Sequence, residues 1–150
     1  MQQFRTIEEA YDICLTQGYI TPTKEIDSDR IKSTLRLIEE ELKNVKDHLS
    51  KKRWEVVYNS YYNILQQLTD AFLEFDKIRI KNDYCLFTYL CLKHPELELN
   101  WDFFQKISLK QETIIKNNLL LKEQDWKEVS LPFNLYINQL KNEIKKKLEK

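Results

Sequence analysis

The residue types that most often bind metals or act as nucleophiles are few in this 150-residue chain, and they lie far apart. The two histidines are His48 and His94, and the three cysteines are Cys14, Cys85 and Cys91. A zinc site needs close ligand pairs, which these residues do not form. Gly-rich phosphate loops and hydrolase motifs are also absent from the sequence. We therefore expect no metal site and no cofactor, and we expect the cysteines to be reduced, buried thiols.

A polar stretch in the second half, KISLKQETIIKNN from Lys106 to Asn118, is the other candidate for chemistry. Its apolar residues recur every three or four places, which is the spacing of one helix face. The polar side chains between them fit either a working site or the outer surface of a helix. The stretch alone does not distinguish the two.

Composition limits the classes of protein to which the chain can belong. Lys+Arg and Asp+Glu number 24 each, so no overall positive charge attracts nucleic acid. One Gly and three Pro leave few turn signals, which favours long helices in a single domain. The apolar runs are too short to span a membrane, and the N-terminus lacks the pattern of a secretory signal. We expect a cytoplasmic protein.

Apolar periodicity predicts six helices. The first runs from about Phe4 to Gln17 and ends at Gly18, which suits the left-handed residue after a helix. The second begins after Asp27 or Asp29, either of which can cap it. Its apolar stripe consists of Ile31, Leu35, Ile38, Leu42, Val45 and Leu49.

The third segment, Lys51 to Phe75, is apolar on a broad arc and is predicted to be the central helix. It contains Tyr58, Tyr61 and Tyr62, which could form a stacking platform for nucleic-acid bases. An aromatic stripe at helical spacing is more typical of a core, and we assign these tyrosines to the core.

Three further helices follow in the second half of the chain. Asn82 or Asp83 can cap the fourth, and Asn100 can start the fifth. Ser130, with Pro132 in the first turn, is predicted to start the sixth. Its basic end, KNEIKKKLEK, is interpreted as a solvated helix terminus.

These segments together predict an all-α fold, an antiparallel bundle of about five to six helices. No strand is predicted. Residues 1–27 are assigned to an N-terminal helix and linker, and residues 28–150 to the bundle. Whether the N-terminal segment packs on the bundle or reaches a second subunit is left open.

The third and fourth helices, WEVVYNSYYNILQQLTDAFLEF and KNDYCLFTYLCLKHPEL, resemble the HEPN family of small helical bundles. Tyr61 and Tyr62 match the aromatic pair of the family's "A-Y-Y" helix. Lys81 to Asp83 lie at the loop element that follows, and a Cys-Leu pair at Cys85 opens the next helix. The resemblance covers about residues 28–148.

The resemblance implies a helical bundle that commonly forms a symmetric dimer and, in active members, a metal-independent ribonuclease. Those members carry an Arg and, about one to one and a half turns later, a His, so that a guanidinium holds a phosphate while an imidazole moves a proton. The matching positions here are Gln111 for the Arg, Glu112 for its polar follower, and Lys116 or Asn117 for the His. Neither functional residue is present, and an ordinary lysine is not a neutral proton acceptor near pH 7.

The polar stretch is therefore interpreted as a helix rather than as a ribonuclease site. The side chains expected to point inward are Ile107, Ile114 and Ile115. The side chains expected to be exposed, or to lie at a subunit contact, are Lys110, Gln111, Glu112 and Lys116.

Three functions stay open at this point. The first is a non-catalytic, HEPN-like interaction protein, a homodimer whose partner would be a minimal nucleotidyltransferase, as in toxin–antitoxin-type pairs. The second is an RNA-binding protein or diverged ribonuclease that uses Lys110, Lys116 and the C-terminal lysines. The third is a bundle with a ligand pocket among its helices. Lys81 and Asp83 are further candidates for contact with RNA or a partner.

Overall fold

The computed structural model describes residues 6–150 and is an all-α helical bundle, as predicted. Six α-helices, two short strands and one 3-10 turn make up the described part of the chain. The elements are α1 (Ile7–Thr16), β1 (Ile20–Pro22), α2 (Ser28–Ser50), α3 (Trp54–Glu74), β2 (Ile78–Ile80), α4 (Asp83–Lys93), the 3-10 turn (Pro95–Leu97), α5 (Trp101–Asn117) and α6 (Glu123–Leu148). Among residues 6–150, no helix has the length and apolar character needed to cross a membrane.

Helix α3 is the centre of the bundle, as its broad apolar arc predicts. It packs against α2, α4, α5 and α6, and most of its side chains are buried. The three tyrosines belong to the core. Tyr58 and Tyr61 pack against Phe133 of α6, and Tyr62 packs edge-on against Phe87 of α4. The interpretation of these rings as a base-stacking platform is therefore not supported by their placement.

Capping residues at four helix starts locate the helices along the chain. Asp27, rather than Asp29, accepts a hydrogen bond from the Arg30 amide at the start of α2. Asn82, rather than Asp83, caps α4 in the same way, and Asn100 caps α5 as expected. At α1, Thr6 and Glu9 form a capping box. The predicted starting residue of this helix, Phe4, lies outside the described residues.

The described residues before α2, 6–27, pack on the bundle, a point that the sequence left open. Gly18 ends α1 with φ +74°, the left-handed conformation predicted for it. Strand β1 then pairs antiparallel with β2, with Ile20 opposite Ile80 and Pro22 opposite Ile78. The expectation that the chain has no strand is wrong here. Each strand has three residues, too few for an alternating pattern to be visible in the sequence.

A disulfide joins Cys14 of α1 to Cys85 of α4, so the expectation of reduced thiols is wrong for this pair. Packing of α1 on the start of α4 brings the two Cα atoms to 5.8 Å, within the range that a disulfide spans. The cysteines are 71 residues apart in sequence, and that separation gives no sign of their proximity. Cys91 is the free cysteine among the described residues, and burial raises the pKa of its thiol to about 12.

Helix α6 begins at Glu123, about two turns before the predicted start at Ser130. The Lys122 amide donates to the Asp125 carboxylate at 2.8 Å, which gives the helix an earlier cap. Pro132 therefore lies inside the helix instead of in its first turn. An interior proline costs about 3 kcal/mol. Trp126 and Val129, in the turns before the proline, are buried. Burial of a large apolar side chain stabilises a fold by about 1.5–3 kcal/mol, which offsets the cost of the proline.

Candidate functional site

Helix α5 contains the predicted polar stretch, and the structure divides its side chains differently from the prediction. Ile107 is fully buried and Ile114 is partly buried, as expected. Gln111 was expected outside but is only 5% exposed, and Ile115 was expected inside but is 66% exposed. Gln111 continues the buried face of Phe104 and Ile107 at helical spacing. Ile115 lies in the last turn of α5, which ends at Asn117.

A row of polar side chains joins α5 to α3 and to the start of α4. This polar seam consists of Asn59, Tyr62, Gln66, Asp83, Ser108 and Gln111. Gln111 Nε2 donates to Asn59 Oδ1, and the Tyr62 hydroxyl lies 3.4 Å from Ser108 Oγ. These two pairs run in opposite directions along the two helices, so α3 and α5 are antiparallel where they meet.

Asp83 is the charged residue of the polar seam and marks its end at α4. One carboxylate oxygen accepts from Gln66 Nε2 at 2.5 Å, and the other accepts from the Tyr62 hydroxyl at 3.4 Å. Burial raises the pKa of the Asp83 carboxyl, and the hydrogen bond from Tyr62 opposes that shift. Burial likewise raises the pKa of Tyr62, to about 12. The tyrosine therefore acts here as a neutral hydrogen-bond donor.

The chemistry available to the polar seam is hydrogen bonding between neutral groups and one carboxylate. Its six members include no cation, so it has no charged fork for a phosphate. Gln111 Oε1 is buried, and no group among residues 6–150 donates to it. Such an atom adds to the cost of burial. The contacts of Gln111 are thus those of a residue that holds two helices together.

The other positions matched to the family motif lie on the outside of α5, apart from Gln111. Lys116 Nζ lies 3.2 Å from Glu112 Oε1, and both side chains are largely exposed. Asn117 is the last residue of α5, and Asn118 follows in a left-handed conformation. The structure therefore does not bring the four motif positions into one pocket.

Acidic groups lie beside several of the lysines proposed for RNA contact. Lys110 lies 3.6 Å from Asp125 of α6, in addition to the pair that Lys116 forms with Glu112. Near the C-terminus, Lys141 lies 2.6 Å from Glu39 of α2. These carboxylates reduce the positive potential that a phosphate would meet.

Lys81 does not join the polar seam, although it is two residues from Asp83. It is exposed between β2 and α4, and its backbone amide donates to the Tyr19 carbonyl at 3.2 Å. The contact therefore belongs to the edge of the two-stranded sheet. Of the residues proposed from the sequence as altered motif positions or as RNA or partner contacts, Asp83 and Gln111 are in the polar seam.

Sequence reasoning missed the partners of His94. Its Nε2 lies 2.7 Å from Asp76 Oδ2, and its Nδ1 lies 2.8 Å from Glu96 Oε2. The ring joins the end of α3, the end of α4 and the 3-10 turn, and Phe72 packs against it edge-on. It caps α4, which agrees with its prediction as a residue at a helix end. Within residues 6–150, no cluster of His, Cys, Asp and Glu could hold a metal ion.

Comparisons of the chain with protein-family models, with curated proteins and with solved structures find no match. The interpretation of the polar seam therefore rests on its own contacts and burial.

Replacement of Gln111 by Arg tests whether this position belongs to the core. We expect Gln111→Arg to lower the free energy of unfolding by at least about 2 kcal/mol, because it buries a charge and breaks the Asn59 hydrogen bond. The matched control, Glu112→Arg, removes an exposed ion pair and should cost less than about 1 kcal/mol. Urea unfolding measures both. Equal losses would mean that position 111 faces solvent.

Asp83→Asn is expected to change how stability depends on pH. Because the pKa of Asp83 is raised in the folded protein, its protonated form favours folding at low pH. That contribution is lost as pH rises from the ordinary Asp value, about 3.9, through the raised folded value. The free energy of unfolding of the wild type, relative to the Asn variant, should therefore fall over this window. Parallel curves in urea titrations at stepped pH would contradict the expectation.

Proposed function

We propose that this chain is a non-catalytic, HEPN-like interaction module that acts as a homodimer. The observation that carries the proposal is the arrangement of α5 at the altered motif positions. Gln111 is committed to the core, whereas Glu112 and Lys116 form an ion pair with each other on the surface. A ribonuclease of the resembled family needs a guanidinium and an imidazole there, and neither is available.

The surface around these positions supports a contact with protein rather than with RNA. The outer face of α5 consists of Gln105, Leu109, Glu112 and Lys116, which share one side of the helix by their spacing. Leu109 lies at the centre of this face, and its side chain is 63% exposed. The exposed leucine offers apolar area of the kind found at the core of a protein interface. The Gln105 amide and the Glu112–Lys116 ion pair around it offer the polar groups found at the rim.

The resemblance also suggests how two copies would meet. In dimers of the HEPN family, the motif helices of the two chains line one cleft. Helix α5 carries the matching positions here, so its outer face would meet the same face of a second copy about a twofold axis. In such an isologous contact, Leu109 of each chain would pack against the residues around Leu109 of the second chain. The charges on the face are balanced, with one carboxylate and one ammonium, and two copies would not repel each other.

Substitution of Leu109 tests the homodimer. We expect the purified protein to sediment at twice its chain mass of 18.3 kDa at micromolar concentration, and Leu109→Glu to shift it to the monomer mass. The new carboxylates would be buried near each other at the twofold axis, which opposes association.

Leu131→Glu is the matched control for that experiment. Leu131 is 67% exposed on α6, close to the exposure of Leu109, and lies outside the proposed contact. The control should stay dimeric. A monomeric wild type across micromolar concentrations would reject the homodimer, and dissociation by Leu131→Glu alone would place the contact on α6.

The proposal extends to a second protein, a minimal nucleotidyltransferase of the kind that the resemblance implies. We expect tagged protein recovered from its native cells to carry this partner in near-equal amount, and nuclease treatment to leave the complex intact. Mass spectrometry of the recovered proteins measures both. Recovery mainly of nuclease-sensitive RNA-associated proteins would favour the RNA-binding alternative instead.

A further inference from the structure

The N-terminal strap, defined here as residues 6–22, covers one side of α4. Its helix α1 packs against α4, and its strand β1 pairs with β2, the element directly before α4. Tyr11 packs against Tyr89 of α4 with ring centroids 6.1 Å apart, and Lys93 Nζ lies 4.6 Å from the centre of the Tyr11 ring. The strap is therefore attached to one corner of the bundle.

Noncovalent attachment of the strap involves few fully buried side chains, although Tyr19 and Ile20 pack against the core and are partly buried. Helix α1 buries only two side chains, Ala10 and Cys14. Its capping box lies within the strap and does not bind it to the bundle. Strand β1 has three residues and is mostly exposed. Segments with few buried contacts and short ladders open at low free-energy cost.

The disulfide is the strongest link between the strap and the bundle. Cys14 lies in the buried row of α1, and Cys85 lies in the first turn of α4. Both residues are almost completely buried where the two helices meet. Because the S–S bond keeps α1 attached, a reductant reaches the buried sulfurs through local opening where α1 meets α4. Once the bond is reduced, no covalent link opposes separation of the strap.

We propose that the Cys14–Cys85 pair is a redox latch that holds the N-terminal strap over α4. In the oxidised form the S–S bond fixes α1 in place. A dithiol reductant supplies two electrons and two protons, so that the S–S bond is replaced by two thiols while the reductant becomes a disulfide. The strap then separates from the bundle and exposes the side of α4 that carries Cys85 and Tyr89.

The rest of the bundle holds together without the strap. The main core lies between α3 and the helices α2, α4, α5 and α6, and the strap contributes only Cys14 to its fully buried members. Residues 23–27, which join the strap to α2, are mostly exposed. The remaining thiol, Cys91, is partly buried in α4 with a raised pKa, which disfavours the thiolate needed for disulfide exchange.

Amide hydrogen exchange of the full-length protein, read by mass spectrometry, tests the latch. The oxidised protein is compared with the same protein treated with dithiothreitol, and thiol labelling establishes the state of each cysteine. We expect reduction to speed exchange in residues 7–22 by about tenfold or more. Exchange should also rise in α4, whereas α3 and α6 keep their protection.

Three results would overturn the latch. Unchanged protection of the strap after reduction would mean that packing alone holds it. Loss of protection throughout α3 and α6 would make the disulfide a staple of the whole fold. Failure of dithiothreitol to reduce the bond without denaturant would mean that the strap does not open.

Two cysteine variants complete the experiment. The double variant Cys14→Ala, Cys85→Ala should show the exchange pattern of the reduced protein with or without dithiothreitol. The matched control, Cys91→Ala, keeps the disulfide and should respond to dithiothreitol as the wild type does. A double variant with a protected strap would overturn the latch, and so would a Cys91→Ala protein that no longer responds.

Discussion

Helix α3 carries apolar side chains around most of its circumference, so it leaves water only when other helices cover it on several sides. Four helices do so, and aromatic contacts come from both α6 and α4. Phe133 packs against Tyr58 and Tyr61 at the centre, and removal of such a ring costs about 3–5 kcal/mol. A surrounding helix needs only one apolar face to cover α3. Helix α4 is also covered by α1 and α5, whereas the outer face of α5 stays exposed. The exposed face of α5 is a consequence of this arrangement.

Polar atoms on α3 determine how α5 sits against it. Apolar packing fixes which faces meet, but it tolerates small sliding movements, whereas hydrogen bonds are directional. Asn59 and Tyr62 meet Gln111 and Ser108 in antiparallel order, and this order suits one register of the two helices. Asp83 adds the start of α4 to the same network. The polar seam thus fixes the position of α5 along α3. Its polar groups lose contact with water in return, and the same loss raises the pKa of the Asp83 carboxyl.

Features encoded within a few residues could be predicted from the sequence, because caps and helix faces depend on local spacing. The roles of Gly18 and Asn100 are predicted correctly for that reason, and Asn82 is one of the two caps predicted for α4. Features that depend on residues far apart could not. The Cys14–Cys85 bond and the pairing of β1 with β2 both follow from how α1 packs on α4. Pro132 was misleading because a local signal for a helix start was outweighed by burial of side chains before it.

The candidate site shows the same division between local and tertiary causes. Hydrophobicity alone predicts that Ile115 is buried and Gln111 exposed, but the structure has the reverse, because burial depends on what other helices place opposite each position. A glutamine enters the core here because Asn59 on α3 offers it a partner, which no feature of α5 reveals. An arginine at the same position would carry its charge into this contact. Gln111 therefore offers no charged group to a phosphate, and its amide is used instead in the contact between α5 and α3.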